Sequence, residues 1–183
     1  GLWVDIYLAS SNGVGGVKSA YNATPLTGTE GHKSYDFIDL GLKSGKRLLS
    51  YSEWQQAAYG SPQGADGNNT NAWAATTNTA RTTTGKVVNA VSAIGCVDCV
   101  GNVWEWLDEL SYRYDGTQSW SWKDVLGTGN GQAYTEGTYG LVRLIAGGGW
   151  YNGVYAGCRA VSCCYYPWSV HAVIGARFGC DSL

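Results

Sequence analysis

Large indole rings set beside runs of glycine constrain this chain more than any other feature. In Gly101-Asn-Val-Trp-Glu-Trp106 two tryptophans alternate with other residues, and Gly147-Gly-Gly149 leads straight into Trp150. Alternation with period two marks a strand that inserts every second side chain into a core. Glycines next to such rings permit turns and close backbone approaches that a Cβ would block. The segments around Trp104, Trp106 and Trp150 therefore read first as scaffold.

Composition bounds the rest. Aromatics at 13%, with 9 Trp and 13 Tyr, supply a real core and exclude disorder. Charged residues at 14% are too few for a long solvated helix or coiled coil. A net charge of -2, with no Lys/Arg cluster, excludes a nucleic-acid partner. No apolar run approaches the roughly 20 residues of a membrane span, so no membrane insertion is expected. The chain has no Met and begins at Gly1. The expectation is one domain over residues 1–183, forming the C-terminal part of a longer chain.

Leu2 to Leu8 alternates and predicts a strand with Val4, Ile6 and Leu8 on one face. Tyr35 to Leu42 reads as a helix, with Ser34 as its cap and Gly45 past its end. Ser50-Tyr-Ser-Glu53 is a capping box that opens a second helix through Trp54, Ala57 and Ala58. Residues 61–85 are too polar for a core and read as a long ordered loop. Residues 111–140 form a second excursion, in which Trp120 and Trp122 read as lid aromatics packed back on the core or as ligand contacts. Leu141–Ala146, Ala156–Ser162 and Ala172–Phe178 predict further strands. The order gives an α+β fold dominated by irregular loops.

Titratable groups offer little chemistry. Cys96-Val-Asp-Cys99 has half the spacing of a zinc site, but a second such pair is missing and neither His stands at ligand spacing. The six cysteines read as small buried thiols, Cys163 included, and no metal or cofactor is expected. Glu105, Asp108 and Glu109 read as a solvated strand end, with a cation site as the alternative. His171 has no neighbouring nucleophile or orienting carboxylate in sequence and reads as a contact residue. Arg159 reads as a scaffold residue paired with a core carboxylate or carbonyls.

Four segments, in order, resemble the formylglycine-generating-enzyme family: Lys46 to Ala58, Gly101 to Trp106, Ala146-Gly-Gly-Gly-Trp150 and Gly175-Ala-Arg-Phe178. The resemblance implies a variant of the C-type lectin fold, with paired terminal strands, antiparallel strands, two helices and long loops. Enzymes of that family use two cysteines after the glycine turn to bind copper. Those positions fall on Asn152 and Gly157, which supply no thiolate, while Cys158 stands one place out of register. The resemblance therefore implies a non-enzyme, the oxidase being the alternative. The words for calcium-dependent sugar binding in C-type lectins are absent, which sets that second alternative aside.

The opening "GLWVDIYLAS", the "IGCVDCVGNVWEW" block and the closing "GARFGCDSL" further resemble the variable proteins of diversity-generating retroelements. In that class, adenine-directed errors diversify a C-terminal binding surface. A gapless alignment from Gly147 to Arg177 places the diversified positions on Gly149, Tyr151, Asn152, Gly153, Tyr155, Ser162, Cys164, Tyr165, Ser169, His171, Val173 and Ile174. None is Trp, Met, Lys, Glu or Gln, the residues that adenine substitution in an Asn codon does not reach. Trp150, Pro167 and Trp168 fall outside the set, and Tyr166 lies beside it. Tyr, Gly, Ser and Asn dominate this stretch, as in paratopes. The resemblance implies a receptor-binding domain for a protein or glycan on a host cell, at a virion tail-fibre tip or a cell surface. The phage type implies a homotrimer.

Overall fold

The computed structural model describes residues 1–62, 79–113, 121–123, 132–135 and 140–182. Most of the first predicted loop, and Trp120, lie outside these residues. The elements run β1 (Leu2–Val4), β2 (Ala9–Ser11), β3 (Val17–Ser19), α1 (Ser34–Leu42), β4 (Arg47–Leu48), α2 (Tyr51–Ala58), β5 (Trp104–Arg113), β6 (Ser121–Lys123), β7 (Ala133–Thr135), β8 (Gly140–Ala146), β9 (Val161–Ser162), β10 (Ile174–Ala176) and β11 (Phe178–Asp181).

The chain ends pair as expected: β1 runs antiparallel to β11, Trp3 opposite Cys180, and β11 also pairs β4. A second sheet has the order β10-β5-β8-β9-β7-β6, and β2 and β3 form a hairpin. Two pairings in the larger sheet are parallel, β10 with β5 and β7 with β9, where antiparallel strands were expected throughout.

The predicted strand Leu2–Leu8 stops at Val4. Beyond it, the carbonyls of Asp5 and Ile6 turn inward and accept from Arg177 Nη1 at 2.9 and 2.5 Å. Ile6 is left exposed while Leu8 is buried. The predicted strand Ala156–Ser162 shrinks to Val161–Ser162. Its first half turns against the glycine run, with Gly157 N–H donating to the Gly147 carbonyl and Gly147 N–H to that of Ala160.

Both helices stand where the sequence puts them. Lys33, not Ser34, is the cap residue of α1. Ser34 instead donates its hydroxyl to the Pro167 carbonyl at 2.7 Å, tying the helix to the C-terminal loops. The capping box of α2 forms: Ser50 Oγ accepts from Glu53 N–H and Glu53 Oε2 from Ser50 N–H. Glu53 is also gripped by two nitrogens of Arg47, at 2.8 Å each.

The first four residues of β5, Trp104 to Leu107, are buried on both faces. Trp104 and Trp106 join a core of Phe37, Ile145, Ile174 and Phe178. Leu107, on the opposite face, joins a second core of Leu49, Trp54, Ala57, Cys99 and Ala146. Glu105 therefore is no solvated strand end: it is fully buried, ion-paired to Arg177 and hydrogen-bonded to Trp54 Nε1 at 2.9 Å. Asp108 is exposed, and Glu109 accepts from Tyr51 N–H, so the three carboxylates do not converge. Between Trp106 and Leu110 the strand slips register against β8. Arg143 fills the irregularity by donating Nη1 to the carbonyls of Leu107 and Asp108 at 3.0 and 2.8 Å.

Two expected outcomes follow from these contacts. Gly147 has φ +94, and a Cβ there would run into the Cys99 carbonyl. Gly147→Ala should destabilise the fold by about 2 kcal/mol or more in urea denaturation. Hydrogen bonds from Arg81 and Arg47 hold the Glu30 and Glu53 carboxyls down at about 2. Carboxyls depressed in the folded state stabilise it above the ordinary carboxylate range of about 4, and that gain disappears as pH falls toward about 2. The Tm of an Arg47→Met, Arg81→Met variant should therefore fall less across this window than that of the unaltered protein.

Candidate ligand-binding face

The glycine run that ends β8 creates the face. Gly147 and Gly148 both take φ +94, turning the chain out of the sheet. Trp150 N–H then donates to the Asn102 carbonyl at 2.8 Å, which fixes the turn to the residues just before β5. Asn102 itself has φ +58, and its amide pairs with the Thr82 backbone through Oδ1 at 2.9 Å and Nδ2 at 3.2 Å. Asn152 Oδ1 accepts from Gly149 N–H at 2.8 Å and closes the next turn. A short 3-10 turn, Gly153–Tyr155, follows.

Further along, the chain is seated by its peptide groups. Cys163 N–H donates to the Tyr134 carbonyl, Arg143 N–H to that of Tyr165, and Gly28 N–H to that of His171.

These turns bring a column of rings from the core to the surface. Buried Trp104 stacks on Trp122 with centroids 6.2 Å apart, and Trp122 stacks on exposed Tyr155 at 4.7 Å. Tyr134 leans on Trp122 at 5.0 Å. Strand register explains the grouping: Trp122 opposes Tyr134 on β6 and β7, and Tyr134 opposes Ser162 on β7 and β9. Beside the column lies a cavity of about 240 Å³ lined by Trp104, Trp122, Tyr134, Tyr151, Asn152, Ser162, Cys164 and Tyr165.

Tyr151, Tyr165 and Trp104 meet in the cavity lining. Tyr165 packs edge-on against Trp106 at 6.5 Å and His171 at 5.2 Å. Burial pushes the Tyr151 and Tyr165 phenols above their ordinary value, so both stay neutral at physiological pH. The cavity lining carries no formal charge. Tyr166 and Trp168 stack on each other with centroids 5.1 Å apart.

Of the twelve sequence-derived positions, Tyr151, Tyr155 and His171 are exposed, and Asn152, Gly153, Cys164, Tyr165 and Ser169 are half-buried. Gly149, Ser162, Val173 and Ile174 are buried. Ser162 still reaches the cavity, where its hydroxyl meets Cys164 Sγ at 3.0 Å. Val173 and Ile174 do not: both belong to the core, with Ile174 opposite Trp104 in the sheet. Cys163, expected to be buried, is half-buried. Trp122 packs back on the core, the first of its two predicted roles, and also lines the cavity. Tyr134 was missed, its only signal being the Tyr and Trp content of residues 111–140. Asn152 and Gly157, at the copper-cysteine positions of the enzymes, serve as a turn acceptor and as a buried backbone donor. Among the described residues no three or more His, Cys, Asp or Glu side chains gather in a metal-binding group, and no helix is long and apolar enough to cross a membrane.

This arrangement defines a class. Residues 18–178 match the FGE-sulfatase family, the sulfatase-modifying factor enzyme 1-like domain, and the chain belongs to it. Along its whole length it is similar to the tail fiber receptor-binding protein of Bordetella phage BPP-1, at 27% identity over 200 residues, and spans 50% of that protein. Among solved structures it is similar to the major tropism determinant M1 variant, with a TM-score of 0.69 and 26% identity over 98% of this chain and 50% of that one. The U1 variant gives a TM-score of 0.64 at the same identity and coverage. The chain thus spans about half the length of these relatives. Its fold is the C-type lectin fold of the tropism determinants, as the sequence resemblance implied.

Burial separates the twelve positions energetically. Ile174→Ala should lower stability by about 2–5 kcal/mol. Tyr155→Ala, on the outer end of the column, should lower it by about 1 kcal/mol or less. Urea denaturation of the two variants checks the contrast.

Proposed function

We propose that this chain is the receptor-binding domain of a retroelement-diversified protein. On this reading its C-terminal segment is varied to change which host-cell protein or glycan is recognised. The observation that carries the reading is the shared cavity. Trp104, Trp122 and Tyr134, from outside the segment, form one part of its lining, and Tyr151, Asn152, Ser162, Cys164 and Tyr165 form the rest. Its relatives support it: one is a tail fiber receptor-binding protein, and others are variants of a tropism determinant.

On this reading residues 1–183 are one domain, the C-terminal part of a longer chain at a virion tail-fibre tip or a cell surface. Ten of the twelve positions make up or adjoin the variable face, and Val173 and Ile174 serve the scaffold. The protein is not an enzyme, because Asn152 and Gly157 offer copper no thiolate. Assembly as a homotrimer would multiply weak single contacts. Recognition rests on neutral rings and amides, so binding should depend only weakly on ionic strength.

The reading is tested in the source genome and at the cell surface. A near-identical repeat of the 3′ coding end, differing only at adenines and lying beside a reverse transcriptase gene, is expected, and its absence overturns the diversification. A Tyr151→Ala, Tyr155→Ala double variant should bind host cells at least about tenfold more weakly, a loss typical of central aromatic contacts, with an unchanged circular dichroism spectrum. Unchanged binding would refute this face as the receptor site. Copper-dependent oxygen consumption would restore the oxidase alternative that the family match keeps open.

A further inference from the structure

We propose that Cys96 and Cys99 are a redox pair that closes to an intrachain disulfide when the folded chain meets a small-molecule disulfide. The observation is geometric. Gly95 has φ +93 and Asp98 φ +60, so the chain doubles back around the two cysteines. Both cysteines are free and buried, and both pack in the same core cluster with Leu49, Trp54 and Leu107. The turn is held on every side: Ser92 N–H donates to the Cys96 carbonyl at 2.8 Å, Val97 N–H to that of Ile6 at 2.7 Å, and Asp98 N–H to that of Ala90 at 2.8 Å. From inside, Arg177 Nη2 donates to the Val97 carbonyl at 2.6 Å. A turn fixed in this way pre-organises two sulfurs in C-x-x-C spacing, and among the described residues no third ligand gathers to make them a metal site.

The two thiols are not equivalent. The hydrogen bond from Cys99, aided by the Arg177 charge, holds the Cys96 thiol down at about 7. As the donor in that bond, and through burial, Cys99 is pushed well above the ordinary thiol value. Cys96, which closely follows the exposed stretch at Ala93 and Ile94, is thus the attacking sulfur, and Cys99, the more deeply buried of the two, is the resolving one. The Cys96 thiolate displaces one thiolate from the small disulfide and forms a mixed disulfide. Cys99 gives up its proton and attacks Cys96 Sγ, expelling the second thiolate. The protein loses two electrons and two protons, and the small disulfide becomes two thiols. Val91, Ala93 and Ile94, just before the pair, are exposed, so the reagent needs only a local opening. The closed bridge would staple the turn that holds Arg177.

The test treats folded, reduced protein with oxidised glutathione, blocks remaining thiols with an alkylating agent in denaturant, and maps peptides by mass. The expected result is one peptide in which Cys96 and Cys99 both escape the label and are lighter by two hydrogen atoms. Cys158, Cys163, Cys164 and Cys180 should be labelled, and the Tm should rise and return on reduction. Cys99→Ser should stall as a glutathione adduct on Cys96. Full labelling of Cys96 and Cys99 after oxidation, or a bridge formed preferentially by other cysteines, overturns the proposal. Both are read on the unaltered chain, so a poorly folding variant does not weaken the test.

Discussion

The fold depends on a buried ion pair. Arg177 and Glu105 are fully enclosed, and Arg177 Nε and Nη2 reach both carboxylate oxygens at 3.1 and 3.2 Å. Glu105 also accepts from Trp54 of α2, while Arg177 holds the carbonyls of Asp5, Ile6 and Val97. One guanidinium and one carboxylate therefore join the segment just after the N-terminal strand, the second helix, the turn at Cys96–Cys99, the central strand and the C-terminal strands. Burial pushes the Glu105 carboxyl up. Its three N–H donors pull the other way and suit a carboxylate better than an acid. Burying such a pair adds little net stability against an apolar alternative, but removing one partner strands the other. Its contribution is to specify a single arrangement of five segments.

That pair also marks where reading the sequence succeeds and fails. The capping box at Ser50 and Glu53, the alternation of Trp104 and Trp106 and the glycine turn before Trp150 were legible because each is decided within a few residues. Glu105 was not. Alternation shows that it faces away from Trp104, but only the second core, built by Leu49 and Trp54 from another part of the chain, makes that side dry. β6 and β7 were hidden for a similar reason: three-residue strands in a polar excursion are fixed by their partners, not by their own pattern. Val173 and Ile174 carried a warning. Neighbours on a strand face opposite sides, so a continuous exposed set could not run through both once a strand was predicted there.

The candidate site was half legible. Its C-terminal wall came from the resemblance and the paratope-like composition of the segment. Its inner wall came from strands whose register no local pattern announces. Together they join neutral stacked rings to turns held by main-chain bonds and by the Asn152 side-chain amide. Large rings with few torsions lose little freedom on contact, so such a face begins already ordered.

The anchors of that face share one property. Asn102 holds the peptide N–H of Trp150, Ser34 and Gly28 hold the carbonyl and peptide of Pro167 and His171, and Arg143 holds the carbonyl of Tyr165. Each grips the segment by atoms that nearly every amino acid possesses. A seat made of peptide groups is blind to the side chain mounted on it. The scaffold can accept a new residue at Tyr165 or His171 and still hold the loop in the same place, so this fold keeps its shape separate from its message.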